Sequence, residues 1–174
     1  MRSSLIVFTS ALLLAATGAF AQGAGPTDPQ IAHIVVTANQ VDIDAGKLAE
    51  QKGNSKEVRD FGKMMVTDHS GVNKQATELV TKLKVKPEDN PTSQSLKAGG
   101  AENVKKLEGL KGAAFDKAYI DHEVAYHQQV LDAVDKVLIP NAKNEELKAL
   151  IVKVRPAFVA HLEHAKTIQS KLGA

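Results

Sequence analysis

The sequence predicts an all-α protein: a four-helix bundle in which two antiparallel hairpins are joined by a long crossover that contains a short helix. Four long segments place apolar residues at the three- and four-residue spacing of one helix face. No segment alternates apolar and polar residues as a half-buried strand does. Proline, glycine and asparagine separate the four segments, and only the middle connection is long.

The first predicted helix runs from Asp28 to about Lys52. Asp28 is a suitable N-cap, Pro29 suits the first helical position, and Gly53 ends the helix. The apolar stripe that supports this helix consists of Ile31, Ile34, Val35, Ala38, Val41, Ala45 and Leu48.

The second predicted helix follows almost at once and runs to about Lys84. Asn54 and Glu57, in "NSKE", are spaced as a capping box. Because the turn is so short, we expect the first two helices to form an antiparallel hairpin. The stripe of the second helix consists of Val58, Phe61, Met65, Val72, Ala76, Leu79 and Leu83.

The connection from Val85 to Gly112 is 28 residues long. Its first part, "VKPEDNPTSQS", contains two prolines and several turn-forming residues. Its second part, "SLKAGGAENVKKLEGL", is weakly amphipathic, and the Gly99–Gly100 pair predicts at most a short docked helix. A connection of this length can travel the length of the bundle, so that the third helix runs parallel to the second, as in ferritin-like bundles.

The third predicted helix runs from about Ala113 to Leu138, and the fourth from about Asn144 to Leu172, with "IPNAKN" as the turn between them. This short turn predicts a second antiparallel hairpin. The apolar positions are Phe115, Tyr119, Val130, Val134 and Val137 on the third helix, and Leu147, Ile151, Val154, Phe158, Leu162, Ala165 and Ile168 on the fourth.

The beginning of the chain has the pattern of a secretory signal peptide. Arg2 precedes an uncharged apolar run from Leu5 to Ala16, and Ala19-x-Ala21 offers the small residues that a signal peptidase recognises. The run is shorter than the roughly 20 residues that span a bilayer. We therefore expect a cleaved signal at residues 1–21, a flexible leader at 22–27 and one domain at 28–174. We also expect the protein to be exported and to be periplasmic or associated with the outer membrane.

Charge and composition exclude several classes of function. The chain has 22 basic and 20 acidic residues, and loss of residues 1–21 would leave a net charge of +1. This balance, without any basic run, argues against a nucleic-acid partner. The chain has no cysteine, so its stability comes from packing rather than from disulfides. It also has no phosphate-binding glycine loop and no nucleophile motif.

Several ionisable side chains fall on the inward faces of the predicted helices. At 100° per residue, Glu123 and His127 stack on one inward face of the third helix, and His161 lies between apolar residues of the fourth. His122 falls at the edge of that face, and His33, Asp44 and His164 lie further out. The residues that could meet near the middle of the bundle are Asp68, His69, Glu123, His127 and His161, with Asp42 as a weaker member.

Two explanations of this polar cluster remain open. Imidazoles and carboxylates from facing helices are ligands for Fe, Zn, Mn or Cu, so the cluster is a possible metal site. Alternatively, it is a buried hydrogen-bond network, for example with Glu123 paired to His127 and Asp68 paired to His161.

Four blocks of the sequence resemble a bacterial family of exported proteins, domain-of-unknown-function family 4142. "TANQVDIDAGKLAEQK" is similar to the family pattern AANxxEIxxGxLAxxK, and "VRDFGKMMVTDHS" is similar to VKxFAxxMVxDH. "FDKAYIDHEVAYH" and "VRPAFVAHLEHA" resemble FDxAYIxxxVxxH and LPxLxxHLxxA. The polar positions that recur in these patterns match Asp42, Asp68, His69, His127 and His161.

This resemblance covers almost the whole chain after the signal. It implies a ferritin-like four-helix fold outside the cytoplasm, and members of the family are often labelled outer-membrane or ferritin-like proteins. The chain departs from di-iron oxidases of ferritin type, because their Glu-x-x-His motif on two helices is missing here. The iron ligands of ferritin are therefore not carried over.

These observations favour a non-enzymatic helical-bundle protein of the cell envelope, in which the interior cluster is a candidate metal site. A metal-dependent oxidase or a metal store is the competing interpretation. A third is a helical adaptor for another envelope protein, or a homo-oligomer, and an exposed apolar patch on residues 92–112 would favour it.

Overall fold

A computed structural model describes residues 25–173 of the protein. The part of the chain that it describes contains helices and no strand, which confirms the predicted all-α class. The helices are α1 (Asp28–Lys52), α2 (Lys56–Lys82), α3 (Pro91–Glu108), α4 (Gly112–Ala133), α5 (Ile139–Asn141) and α6 (Glu145–Leu172), with a π-helical turn (Val134–Leu138) between α4 and α5. The predicted signal and the first half of the leader, residues 22–24, lie outside the described residues.

Hydrogen bonds at the helix ends define the directions of α2, α4 and α6. The Asp116 carboxylate, near the start of α4, accepts the backbone N–H groups of Asn54 and Ser55 just before α2. The backbone N–H of Asn144, just before α6, donates to Asp28 at the start of α1. The helices α2 and α4 therefore begin at one end of the bundle, and α1 and α6 begin at the other.

The helix α3 runs alongside α1 and in the same direction. Before the start of α3, Asn90 donates to the backbone carbonyl of Gln30 in the first turn of α1. At its far end, Lys52 in the last turn of α1 donates to the carbonyls of Leu107 and Glu108. The connection thus returns the chain to the end where α2 began, and α4 runs in the same direction as α2. That this arrangement is ferritin-like remains a prediction.

The crossover helix is longer than the glycine pair predicted. The helix α3 has 18 residues and continues through Gly99 and Gly100. A Cβ atom at Gly100 would lie 2.7 Å from Cγ2 of Val41, so glycine allows α3 to approach α1 closely at this point. The glycine that weakens the isolated helix is thus required by the packing of the crossover.

Two predicted N-caps are wrong by one residue. The N-cap of α1 is Thr27, and the carboxylate of Asp28 instead binds the segment before α6. The N-cap of α2 is Ser55, whose hydroxyl accepts a backbone N–H of the first turn, in place of the predicted Asn54–Glu57 box. In both cases a long-range contact, invisible to local spacing, determines which side chain caps the helix. The first half of the predicted turn "IPNAKN" is also helical, because the π-helical turn carries α4 on into α5.

The helices α1 and α2 touch each other through two glycines. A Cβ atom at Gly46 would lie 2.8 Å from the backbone oxygen of Gly62, and one at Gly62 would lie 2.7 Å from the oxygen of Gly46. Real side chains do not reach such distances, so the two helix backbones can be this close only where both residues are glycine.

The apolar core lies on both sides of a polar layer at the middle of the bundle. Towards the α1–α2 turn, Phe61, Met65 and Tyr119 are fully buried. Towards the other end, Ile31, Leu138 and Ile151 are buried together. Among the described helices, none combines the length and hydropathy needed to span a bilayer. The residues between the two apolar regions are Asn39, Asp42, His69, Glu123, His127 and His161, all buried.

Candidate metal centre

Five of the six polar residues predicted from the sequence lie together in the interior. Asp42, His69, Glu123, His127 and His161 are each at most 3% exposed and come from four different helices. Asp68 lies at the edge of this group, with its side chain 44% exposed. The cluster therefore has a buried centre and one carboxylate that reaches it from the surface.

The hydrogen bond of His69 determines which of its nitrogens carries a proton. Nδ1 of His69 lies 2.7 Å from Oδ1 of Asn39. The Asn39 amide nitrogen donates to the carbonyl of Val35, and this bond fixes the orientation of the amide. Because the amide oxygen can only accept, His69 carries its proton on Nδ1, and Nε2 keeps a lone pair.

The other two histidines also carry a proton on the nitrogen that faces an acceptor. Nδ1 of His127 lies 3.1 Å from the backbone carbonyl oxygen of Glu123, which can only accept. Nε2 of His161 lies 2.9 Å from Oδ2 of Asp68, a carboxylate oxygen that accepts a hydrogen bond. His127 therefore keeps a lone pair on Nε2, and His161 keeps one on Nδ1.

These three lone-pair nitrogens have no hydrogen-bond partner in the part of the chain that the structure describes. His69, His127 and His161 can each offer one nitrogen within 4.8 Å of the other two, and their ring centroids are 5.2–5.6 Å apart. A tetrahedral metal with bonds of about 2.0–2.1 Å holds its nitrogen ligands roughly 3.4 Å apart. Small side-chain rotations would bring the three imidazoles to that spacing.

A carboxylate lies behind each of the three histidines, next to the nitrogen that carries the proton. Such carboxylate–histidine pairs orient the ring and increase its strength as a metal ligand. The pairs are Asp42 Oδ2 with His69 Nδ1 at 3.6 Å, Glu123 Oε2 with His127 Nδ1 at 3.4 Å, and Asp68 Oδ2 with His161 Nε2 at 2.9 Å.

Asp42 and Glu123 also form a second possible ligand group with His127. One ligand atom from each of these residues lies within 4.8 Å of the other two. Oδ1 of Asp42 and both carboxylate oxygens of Glu123 are buried and have no hydrogen-bond partner among the described residues. A cation near these oxygens would compensate the cost of burying them, which is about 1–3 kcal/mol for each unsatisfied group and more for a charged one.

Burial and nearby ionisable groups shift the pKa values of His69, His127 and Asp42 towards the neutral forms. Burial lowers the pKa of His69 to about 2, with a further contribution from His127 and His161. Burial also lowers the pKa of His127, although the nearby Glu123 carboxylate opposes the change. Burial, followed by the Glu123 carboxylate, raises the pKa of Asp42 well above its ordinary value. At neutral pH His69 and His127 are therefore neutral imidazoles, the form that binds metals.

A cavity of about 220 Å³ reaches the cluster from the side of α3. Asn39, Asp42, His69 and His127 line its polar part. The rest of its lining is largely apolar and comes from α1, α3, α4, the π-helical turn and Phe158 of α6.

The histidines predicted to lie outside the cluster do so. The side chain of His122 is 26% exposed, and its ring stacks on Tyr126. His164 is exposed and contacts the edge of Phe61, and His33 lies 3.7 Å from Asp89. The sequence-based prediction missed Asn39, although Asn39 shares the flank of α1 with Asp42 and could have been found as an inward amide.

The fold and the site define a class of protein, an all-helical bundle with a buried cluster of histidines and carboxylates. Within this class, the chain belongs to the family described as domain of unknown function (DUF4142), whose family model matches residues 14–168. The resemblance seen in the sequence is thereby confirmed. Neither the comparison with curated proteins nor that with solved structures gave a match.

Proposed function

We propose that the protein binds one divalent transition-metal ion between His69, His127 and His161. The observation that carries this proposal is that three buried imidazoles, each with one nitrogen that has no hydrogen-bond partner among the described residues, can each offer a nitrogen within 4.8 Å of the other two. Each imidazole is held from behind by an acceptor, which leaves its free nitrogen directed away from that acceptor. A cation is the partner that satisfies three lone pairs at once.

The alternative of a buried hydrogen-bond network explains less of the geometry. The expected proximities of Glu123 to His127 and of Asp68 to His161 are present. Both, however, use the nitrogens that carry protons, and they leave the opposite nitrogens without partners. A network that served only stability would leave these acceptors uncompensated at about 1–3 kcal/mol each.

The ligand set favours Zn²⁺, Cu²⁺ or Fe²⁺ over Mn²⁺. Imidazole suits zinc, copper, iron and nickel, whereas manganese prefers oxygen ligands. Three protein ligands leave at least one coordination position for another molecule, as in catalytic zinc sites. A single small site gives no support to a metal store.

The helix directions support a ferritin-like arrangement, which we propose as the architecture. The parallel course of α2 and α4, with α3 as the crossover, is the connectivity expected for such bundles. An experimental structure in which α2 and α4 ran antiparallel would contradict it.

We also propose that the protein acts in the cell envelope. The support is the pattern from Arg2 to Ala21, which is typical of a cleaved signal. Fractionation of cells that express the full chain, followed by N-terminal sequencing, tests this proposal. We expect periplasmic protein that begins at Gln22, and a cytosolic protein with an intact N-terminus would contradict export.

The adaptor hypothesis gains no support from the surface. Within the described residues, the large apolar side chains that are exposed are Val137 and Val152, and neither lies in residues 92–112.

Thermal unfolding of chelator-treated protein, with and without added Zn²⁺, Cu²⁺ or Mn²⁺, tests the metal site. A ligand at 100 times its Kd stabilises the folded state by about 2.7 kcal/mol. For a domain of this size, that corresponds to a rise in Tm of roughly 5–11 °C. We expect such a rise with Zn²⁺ and Cu²⁺, a smaller one with Mn²⁺, and one ion per chain by elemental analysis.

The matched variants for this experiment are His161→Ala and His164→Ala, three residues apart on α6. His164 is exposed and outside the cluster, so its variant should keep the full metal effect. His161→Ala should lose it, and His161→Gln, which keeps an N–H near Asp68, provides a milder version in which folding is preserved. An undiminished metal effect in both His161 variants would refute the proposed site.

A further inference from the structure

The cavity beside the cluster has apolar walls and one polar end. Its volume is about 220 Å³. Thr92 and Gln129 are the exposed members of its lining, so the cavity opens to solvent between α3 and α4. The apolar walls include Ile34, Val35, Ala38, Leu96, Val130 and Leu138.

The size of the cavity suits a single ring. An apolar cavity of about 150 Å³ is large enough to bind benzene. The cavity described here is larger than that, which leaves room for one substituent or a second fused ring.

The polar end of the cavity offers hydrogen-bond acceptors. Asp42, His69 and His127 line it and are each at least nine-tenths buried. Oδ1 of Asp42 and Nε2 of both histidines have no hydrogen-bond partner within the described part of the chain. A molecule in the cavity can therefore satisfy one of these atoms by donating from an O–H or N–H group.

The lining contains no lysine or arginine. A molecule with a full negative charge would lose its hydration without gaining a cationic side chain, and this desolvation is costly. The apolar walls likewise disfavour a second polar group far from the cluster.

We propose that this cavity binds a small, uncharged aromatic molecule with a single O–H or N–H group, such as a phenol or an indole. The ring lies against the apolar walls, and the polar group points to Asp42, His69 and His127. The inference deepens the proposed function, and its metal-dependent part rests on that function. With a metal on the three imidazoles, the polar group of the bound molecule lies beside the open coordination position.

Indole fluorescence provides a direct test, because the protein contains no tryptophan. Metal-free protein should bind indole saturably, one molecule per chain, with a shift of the emission to shorter wavelength. Phenol should then displace indole at least as well as toluene, which has nearly the same shape. A cavity without a reachable acceptor would favour toluene by about tenfold or more, because the phenol hydroxyl would be buried without a hydrogen bond. Such a preference for toluene would overturn the role of the polar end.

Ala133→Phe and Ala125→Phe are matched variants on α4. Ala133 lines the cavity, whereas Ala125 is exposed and outside the lining. We expect Ala133→Phe to weaken indole binding at least tenfold and Ala125→Phe to leave it unchanged, while both keep the rise in Tm with Zn²⁺. Leu96→Phe narrows the cavity from α3 and serves the same purpose if Ala133→Phe does not fold. Unchanged indole binding in a folded variant of the lining would overturn the assignment of the site to this cavity.

Repeating the titrations with Zn²⁺ separates this inference from the metal site. If the polar group lies beside the metal, Zn²⁺ changes the affinity for phenol, and phenol changes the affinity for Zn²⁺ by the same factor. A protein that binds Zn²⁺ but no phenol or indole in either state overturns the cavity proposal and leaves the metal site intact. A protein that binds indole but shows no effect of any metal retains the cavity and overturns the proposed metal function.

Discussion

Replacing Asn39 by leucine should weaken metal binding although Asn39 is not a metal ligand. Its amide oxygen accepts the Nδ1–H of His69 at 2.7 Å and so keeps the lone pair of His69 on Nε2. Asn39 is buried, with only 2% of its surface exposed. Leucine is similar in size to asparagine and is compatible with a buried position. The substitution therefore removes the hydrogen bond without opening a large cavity.

The magnitude follows from the two effects of this loss. In the metal-free protein, a buried N–H of His69 loses its partner at a cost of about 1–3 kcal/mol, which lowers Tm by roughly 2–12 °C. In the metal-bound protein, loss of a partner that orients a histidine ligand typically reduces affinity by about 10- to 100-fold. His69 can also move its proton to Nε2, where it would block the bond to the metal.

Competition titration with a coloured zinc chelator measures the affinity, and thermal unfolding of the metal-free protein measures the stability. The matched control is Asn73→Leu. Asn73 lies on α2 and donates to a backbone carbonyl of α1, that of Val36, and its amide makes no hydrogen bond to a histidine among the described residues. We expect Asn73→Leu to leave the Zn²⁺ affinity within about twofold of the unmodified protein. Equal Zn²⁺ affinities in the two variants would refute the role assigned to Asn39.

Two further predictions concern stability. Because the pKa values of His69 and His127 are lowered in the folded protein, the unfolded chain binds two more protons at these residues below about pH 6.5. Because the pKa of Asp42 is raised, the folded chain binds one more proton at this residue above about pH 3.8. Between these pH values the unfolded chain therefore binds about one more proton in total. Urea unfolding of the metal-free protein should therefore show a loss of about 1–1.5 kcal/mol per pH unit from pH 6 to pH 4.5, and a stability that is constant or rises on acidification would contradict these shifts. Asp116→Ala should destabilise the fold by about 2–4 kcal/mol, because two backbone N–H groups at the α1–α2 turn lose their buried carboxylate acceptor. Asp60 is exposed, so Asp60→Ala should change the free energy of unfolding by less than about 0.5 kcal/mol. Similar urea midpoints for the two variants would refute this difference.

The inward positions of the cluster were predictable because a helix repeats its faces at a fixed angle. His127 and His161 lie within apolar stripes and His69 borders one, so the sequence alone places them towards the core. Glu123 was predicted in the same way, one turn before His127. The helical period does not predict which ring nitrogen of each histidine faces which partner, and the structure shows this.

The features that escaped prediction depend on contacts distant in sequence. The length of α3 depends on Gly100 lying against Val41, and the start of α2 depends on the carboxylate of Asp116. Helix propensity and local capping rules cannot include either contact, because both partners are more than 50 residues away. The cavity is likewise formed by side chains from several helices, and no single stretch of sequence describes it.

The contact between Gly46 and Gly62 sets how the residues of the metal site on α1 and α2 align along the helix axes. Asn39 lies seven residues before Gly46 on α1, and His69 lies seven residues after Gly62 on the antiparallel α2. Seven residues correspond to about 10 Å along either helix, so the same displacement brings Asn39 and His69 to the same height.

A change at this glycine contact should therefore alter the chemistry of the site from a distance. In Gly62→Ala, the new methyl group would lie 2.7 Å from the oxygen of Gly46, which forces α1 and α2 to separate or slide. We expect a lower Zn²⁺ affinity, measured by the same chelator competition, and no change in Gly71→Ala, where nothing lies within 4 Å of the added atom. The spacing of two backbones that touch no ligand would then determine how tightly the protein holds its ion.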